Sequence, residues 1–117
     1  MKDPAVYLGH ILDAIEDIQQ YASVGRESFM ADRMRQDAVV RKLEIIGEAV
    51  KQLPDATKNR SPAVPWRKIA GIRDRLIHDY FRVDLDLIWT VVDRELPSLQ
   101  AAIRGLLEEP PPSASTR

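Results

Sequence analysis

The chain has 117 residues, a length that fits a single domain, and it carries 17 basic and 18 acidic side chains. Apolar types make up 44% and charged types 30%, which excludes an intrinsically disordered chain. Cysteine is absent and histidine is limited to His10 and His78, so one chain cannot build a disulfide, a thiolate metal site or a several-histidine zinc site. Because no apolar run follows Met1 and no long uncharged apolar stretch occurs, we predict a cytoplasmic protein without a membrane segment.

Apolar residues three and four positions apart form two stripes in the first half of the chain. The first stripe predicts a helix from about Pro4 to Ala22, with Asp3 as its N-cap and Gly25 just after its end. The second predicts a helix that begins as early as Ser28 and is stopped by Pro54. The two stripes consist of Leu8, Ile11, Leu12, Ile15 and Ile18, followed by Val39, Leu43, Ile46, Val50 and Leu53.

Two more helices are predicted in the second half. Residues 54–65 contain three prolines and predict a connector without helix or central strand. Pro65 opens a third helix whose apolar positions run to Tyr80. The fourth helix extends from Leu85 to Leu107, with a kink or short break expected at Pro97.

The four stripes predict an all-α fold, most simply an up-and-down bundle of four main helices. Residues 1–107 form this single domain, and residues 108–117 are predicted to be a flexible tail rich in proline and serine. The apolar seams of the second and fourth helices are long enough to favour a homodimer.

Charge is distributed unevenly along the chain. Residues 58–75 contain six basic side chains and one acidic side chain, whereas residues 84–109 contain six acidic and two basic ones. The two segments either neutralise each other across the bundle surface or leave a local anion-binding surface.

Arg73 lies in the middle of the apolar stripe of the third helix if that helix is regular. A guanidinium keeps its charge, so on a buried face it needs a partner such as Glu44 or Glu48, or it must face a cleft that holds an anion. Asp74 and His78 have the i, i+4 spacing at which a carboxylate can orient an imidazole.

The stretch from Arg73 to Tyr80, which reads RDRLIHDY, is similar to the R-x4-H-x-Y motif of HepT-like toxins. These toxins belong to the HEPN superfamily of small helical ribonucleases. The resemblance also covers residues 37–53 (DAVVRKLEIIGEAVKQL), 65–83 (PWRKIAGIRDRLIHDYFRV) and 84–99. It therefore covers most of the chain apart from the connector and the tail.

The resemblance implies a HEPN-like helical homodimer with the Arg–His pairs of both subunits around a shared cleft. It implies metal-independent RNA cleavage without a cofactor, with Arg73 and His78 as catalytic residues and Asp74 in a supporting role. It further implies a toxin–antitoxin pair of the type VII kind, whose nucleotidyltransferase antitoxin adds AMP to Tyr80. The added negative charge would block RNA from the cleft.

Two alternatives remain open at this stage. The chain could be a non-catalytic HEPN module that binds a nucleotide or a nucleotidyltransferase partner, in which case Arg73 is required and His78 is not. It could also be a helical dimer in which Arg73 is buried against Glu44 or Glu48, and loss of Arg73 would then cost about 3–5 kcal/mol of stability. A Mg²⁺ site among the aspartates and a sequence-specific DNA reader are both disfavoured.

Overall fold

The computed structural model describes residues 3–79 and 82–108, without the side chains of His78, Asp79 and Arg82. In chain order the helices are α1 (Pro4–Ala22), α2 (Arg26–Met30), α3 (Arg33–Gln52), α4 (Asp55–Asn59), α5 (Trp66–Ala70) and α6 (Ile72–Leu76). Two short strands follow, β1 (Ile77–Asp79) and β2 (Arg82–Val83), and then α7 (Leu85–Thr90), a π-helical segment (Val91–Glu95) and α8 (Leu96–Glu108).

The long helices form a bundle around one apolar core, which confirms the all-α prediction. Helix α1 packs along α3 and α8, and α3 also packs against α5 and α6. The stripes predicted from the sequence supply this core, including Ile11, Ile15, Ile18, Val39, Leu43, Ile46, Ile88, Leu99 and Ile103. Because the chain itself covers these seams, they no longer argue for a dimer. No helix among the described residues is long and apolar enough to cross a membrane.

The first helix begins and ends as predicted, but the second is divided. The Asp3 carboxylate accepts a hydrogen bond from the Ala5 amide at 2.9 Å, and Gly25 adopts a φ of 93° after α1. The predicted second helix instead forms α2 and α3, because the Asp32 carboxylate caps a new helix by accepting from the Arg35 amide at 3.2 Å. Phe29 of α2 is fully buried in the core.

The prediction that residues 54–65 contain no helix is wrong, because α4 lies within them. Pro54 is the N-cap of this five-residue helix, and the next proline is Pro62, so no proline interrupts its hydrogen bonds. The Trp66 indole Nε1 donates to the Lys58 and Ser61 carbonyls at 3.1 Å each, which fixes the connector against α5.

The interruption predicted in the last helix takes the form of a π-helical segment just before Pro97. Proline has no amide hydrogen and its ring crowds the carbonyl four residues earlier, so the backbone of Val91–Glu95 adopts a wider turn. Helix α8 then continues to Glu108. The remainder of the predicted tail lies outside the described residues.

Candidate functional site in the groove between α3 and α6

The third predicted helix breaks at Gly71, and this break places Arg73 on the surface. Trp66, Ile69, Ile72 and Leu76 are buried, whereas the Arg73 side chain is 68% exposed. Of the two alternatives considered for Arg73, the buried ion pair is therefore wrong, and the exposed side chain fits the alternative in which this face opens onto a cleft. The buried alternative assumed one regular helix, whereas two short helices meet at Gly71 and Ile72, not Arg73, points into the core.

Arg73 forms an ion pair with Glu44 of α3, one of the two partners considered from the sequence. Its Nε lies 3.1 Å from Glu44 Oε2, while Glu48 pairs with Lys51 at 3.0 Å. The Glu44 side chain is 27% exposed and also lies 3.8 Å from Arg41. Because Arg73 remains largely in water, the pair is a surface ion pair and contributes about 0–1 kcal/mol, not the 3–5 kcal/mol of a buried one.

Arg73 and Glu44 face an open groove of about 500 Å³ between α3 and the α5–α6 junction. The groove carries both signs of charge on its walls. Its lining consists of Arg41, Glu44, Gly47, Glu48, Lys51 and residues 70–74. An anion entering the groove would therefore be held at particular cations and not by a general positive field.

Gly47 allows α3 to approach the α5–α6 junction closely, and the sequence analysis missed it. A Cβ at this position would lie 3.2 Å from the Ala70 carbonyl oxygen, 3.3 Å from the Ile69 carbonyl oxygen and 3.3 Å from Ile72 Cγ2. A glycine inside a helix lowers stability by about 1 kcal/mol relative to alanine. Its presence in the middle of a predicted helix therefore indicates a packing role, and this indication was available from the sequence.

We expect Gly47→Ala to destabilise the protein by about 1–2 kcal/mol, because the contacts with two backbone carbonyls outweigh the gain in helix propensity. Gly105→Ala in α8 is the matched control, since a Cβ there meets nothing within 4 Å. The control should be neutral or stabilising by up to about 1 kcal/mol. Urea unfolding of both variants measures the difference, and equal effects would show that Gly47 has no packing role.

His78 lies on β1, immediately after the helix that carries Arg73. Helix α6 ends at Leu76, and Ile77 is extended with φ −106° and ψ 112°. Strand β1 pairs antiparallel with β2, and the Asp84 amide donates to the Leu76 carbonyl at 2.8 Å. The prediction of continuous helix to Tyr80 is therefore wrong, because the hairpin begins at Ile77.

This change of backbone affects two predicted roles. Asp74 is exposed on α6, and its i, i+4 relation to His78 is not a helical one, so the argument from helix geometry no longer supports its role. The side chain of His78 and the whole of Tyr80 lie outside the described part of the chain. The catalytic and modification roles of Arg73, His78, Asp74 and Tyr80 remain predictions.

A second ion pair connects α6 to the π-helical segment. Arg75 Nη1 and Nη2 donate to Glu95 Oε1 and Oε2 at 3.1 and 3.0 Å, with the two side chains 19% and 32% exposed. These hydrogen bonds, and to a smaller extent the charges of Arg75 and Lys68, hold the pKa of Glu95 below its ordinary value although burial opposes them. The pair joins the basic and acidic segments noted in the sequence, as the neutralisation reading requires.

Among the side chains that the structure describes, no three His, Cys, Asp or Glu residues are grouped closely enough to hold a metal ion. The chemistry available around the described groove is that of guanidinium, ammonium and carboxylate groups. A guanidinium has a planar array of donors suited to a phosphate group.

Comparison with known proteins identifies the family. Residues 11–106 match the family described as "Ribonuclease HepT-like". The chain is 43% identical over 110 residues to a "Putative RNase" of Caldanaerobacter subterraneus subsp. tengcongensis, covering 93% of this chain and 98% of the relative. It is 44% identical over 101 residues to a "Probable ribonuclease HepT" of Thermococcus cleftensis, covering 86% and 92%.

Another relative is longer than this chain. The chain is 44% identical over 109 residues to a "Gamma-glutamylcyclotransferase and putative RNase" of Methanocaldococcus jannaschii, covering 92% of this chain and 49% of that protein. No solved structure matches significantly. The family and its relatives confirm the expectation of a ribonuclease, and the chain belongs to the ribonuclease HepT-like family.

Proposed function

We propose that the chain is a metal-independent endoribonuclease in which Arg73 and His78 act on the scissile phosphodiester. The observation that carries this proposal is the exposed Arg73 at the edge of an open groove, with the backbone of His78 on the adjoining strand. An exposed arginine in a surface pair worth little to stability is available to an incoming phosphate.

The proposed reaction divides between proton transfer and charge stabilisation. The RNA 2′-hydroxyl loses its proton and attacks the adjacent phosphorus, and the 5′-oxygen leaves with a proton, so one product ends in a 2′,3′-cyclic phosphate. Histidine suits both proton transfers near neutral pH, and Arg73 suits the extra negative charge on the phosphorane.

The chemistry supports a homodimer, which we include in the proposal. One chain contributes only His78 to this site, because His10 lies on α1. Two chains around a shared cleft would supply one imidazole as base and another as acid. The RNA substrate makes the cytoplasm the proposed location.

We also propose that the protein is the toxin of a type VII-like toxin–antitoxin pair. Its partner would be a nucleotidyltransferase antitoxin that adds AMP to the Tyr80 hydroxyl. Tyr80 lies two residues after His78 in the sequence, so the added phosphate would bring negative charge beside the reacting groups and repel RNA.

The test is incubation of the purified, unmodified protein with total RNA in EDTA, beside a His78→Ala variant whose folding is checked by circular dichroism. We expect the wild type to cleave RNA to 2′,3′-cyclic phosphate ends and the variant to lose at least about a hundredfold in rate. Sedimentation at the assay concentration should show a dimer. A folded wild type that leaves RNA intact would favour the non-catalytic module.

A second preparation tests the modification. Protein co-expressed with a neighbouring nucleotidyltransferase should gain the mass of one adenylyl group and lose its ribonuclease activity, whereas a Tyr80→Phe variant should gain no mass. An unchanged mass in repeated preparations would contradict the proposed AMP addition.

A further inference from the structure

Beyond the scissile phosphate, the groove offers a second arginine whose role the motif does not assign. Arg41 of α3 lines the same groove as Arg73, and its side chain is 71% exposed. We propose that Arg41 binds a phosphate of the RNA strand next to the one that Arg73 contacts. This inference rests on the proposed ribonuclease function.

Glu44 lies between Arg41 and Arg73 and contacts both of them. Its Oε2 lies 3.1 Å from Arg73 Nε, and its Oε1 lies 3.8 Å from Arg41 Nη1. Both guanidinium groups are therefore held close to one half-buried carboxylate. The three groups together carry one net positive charge, and each guanidinium can face a different phosphate of the strand.

The geometry leaves hydrogen-bond donors available on both arginines. Arg73 meets Glu44 through Nε, and its terminal nitrogens carry four further N–H groups. The Arg41 contact at 3.8 Å is too long for a hydrogen bond, so a phosphate oxygen could replace it at small cost.

The length of the groove favours a nucleic acid strand over a single nucleotide. Arg41 and Lys51 both line it and are ten residues apart on α3, a rise of about 15 Å. Lys51 is 53% exposed and pairs with Glu48 within the same helix, so it adds a weaker cation beyond Arg41 and Arg73. The carboxylates between the cations would restrict phosphates to particular positions.

The experiment measures binding separately from cleavage. The probe is a short fluorescent 2′-O-methyl RNA oligonucleotide, which lacks the attacking hydroxyl, and anisotropy gives its affinity over a range of salt concentrations. Arg41→Gln should weaken binding about fivefold to tenfold and reduce the slope of log K against log salt by about 0.7, the value for one single-strand phosphate contact.

Arg33→Gln is the matched control, because Arg33 is exposed on the same helix and outside the groove lining. Equal losses in the two variants, or an unchanged slope in Arg41→Gln, would overturn the inference even if the wild type cleaves RNA. The wild type could fail to cleave RNA while Arg41→Gln still lowers both the affinity and the salt dependence of binding. That result would contradict the proposed activity and support Arg41 as a phosphate-binding residue.

Discussion

Replacing Arg73 with alanine is expected to lower RNA cleavage at least about a hundredfold, because the phosphorane loses its guanidinium. The free energy of unfolding should change by less than about 1 kcal/mol, since the side chain is 68% exposed and its pair with Glu44 lies at the surface. Single-turnover cleavage and urea unfolding of the same preparation measure the two quantities. A large loss of cleavage rate with little change in unfolding free energy distinguishes a catalytic arginine from a structural one.

Two further variants sharpen this prediction. Arg73→Lys keeps the positive charge but removes the planar donors, so it should recover only part of the lost rate. Arg104→Ala removes another half-exposed arginine from a surface pair, with Glu16 at 3.8 Å, and should leave cleavage unchanged. An Arg73→Ala protein that cleaves normally, or one that unfolds at much lower urea, would contradict the assignment.

Replacing Arg75 with methionine is expected to cost about 1–3 kcal/mol of stability, because it leaves the Glu95 carboxylate without its two-point partner. Both side chains are less than one-third exposed, in contrast to Arg73 two residues earlier. For a domain of this size the melting temperature should fall by several degrees. A change as small as that of Arg73→Ala would show that the pair contributes little.

The same pair predicts a dependence of stability on pH. The Arg75 hydrogen bonds lower the pKa of folded Glu95 from its ordinary value of 4.5, so the unfolded chain binds a proton first as the pH falls. The contribution of the pair is therefore complete above about pH 4.5 and disappears as the pH falls through the folded pKa.

Glu95→Gln is the variant that isolates this effect. The difference in unfolding free energy between wild type and Glu95→Gln should be constant above the ordinary pKa of 4.5 and narrow below it. Urea unfolding at a series of pH values measures it. A difference that stays constant down to pH 3 would contradict a lowered pKa for Glu95.

The fold could be predicted wherever one apolar stripe and one cap agree. Asp3, Pro4 and the stripe from Leu8 to Ile18 define α1 without further information, and the seams of α3 and α8 supply the core. The positions at which two predicted helices break were harder to predict. The apolar spacing of these helices continues on both sides of Asp32 and of Gly71, where the structure ends one helix and begins the next. Periodicity alone does not detect a helix that stops and restarts within two residues.

The residues of the candidate site could be predicted from a sequence motif, but their arrangement in space could not. The motif from Arg73 to Tyr80, together with the matching stretches over residues 37–53 and 65–99, identified the family, and Glu44 was one of two partners considered for Arg73. The surface position of Arg73 depends on the helix break at Gly71. The end of the helix at Leu76 depends on the backbone pairing between β1 and β2. Both features arise from tertiary structure, which outweighs local helix propensity.

The segment that carries the motif is assembled from pieces too short to be stable alone. Helices α5 and α6 have five residues each, and β1 has three. Isolated helices of that length do not form in water, so the order of this segment comes from its contacts with α3 and the π-helical segment. We therefore expect local opening of this segment to stop the proposed reaction at Arg73 and His78 while the rest of the bundle stays folded. The close packing at Gly47, the Arg75–Glu95 pair and the buried side chains of α5 and α6 together hold this segment in place.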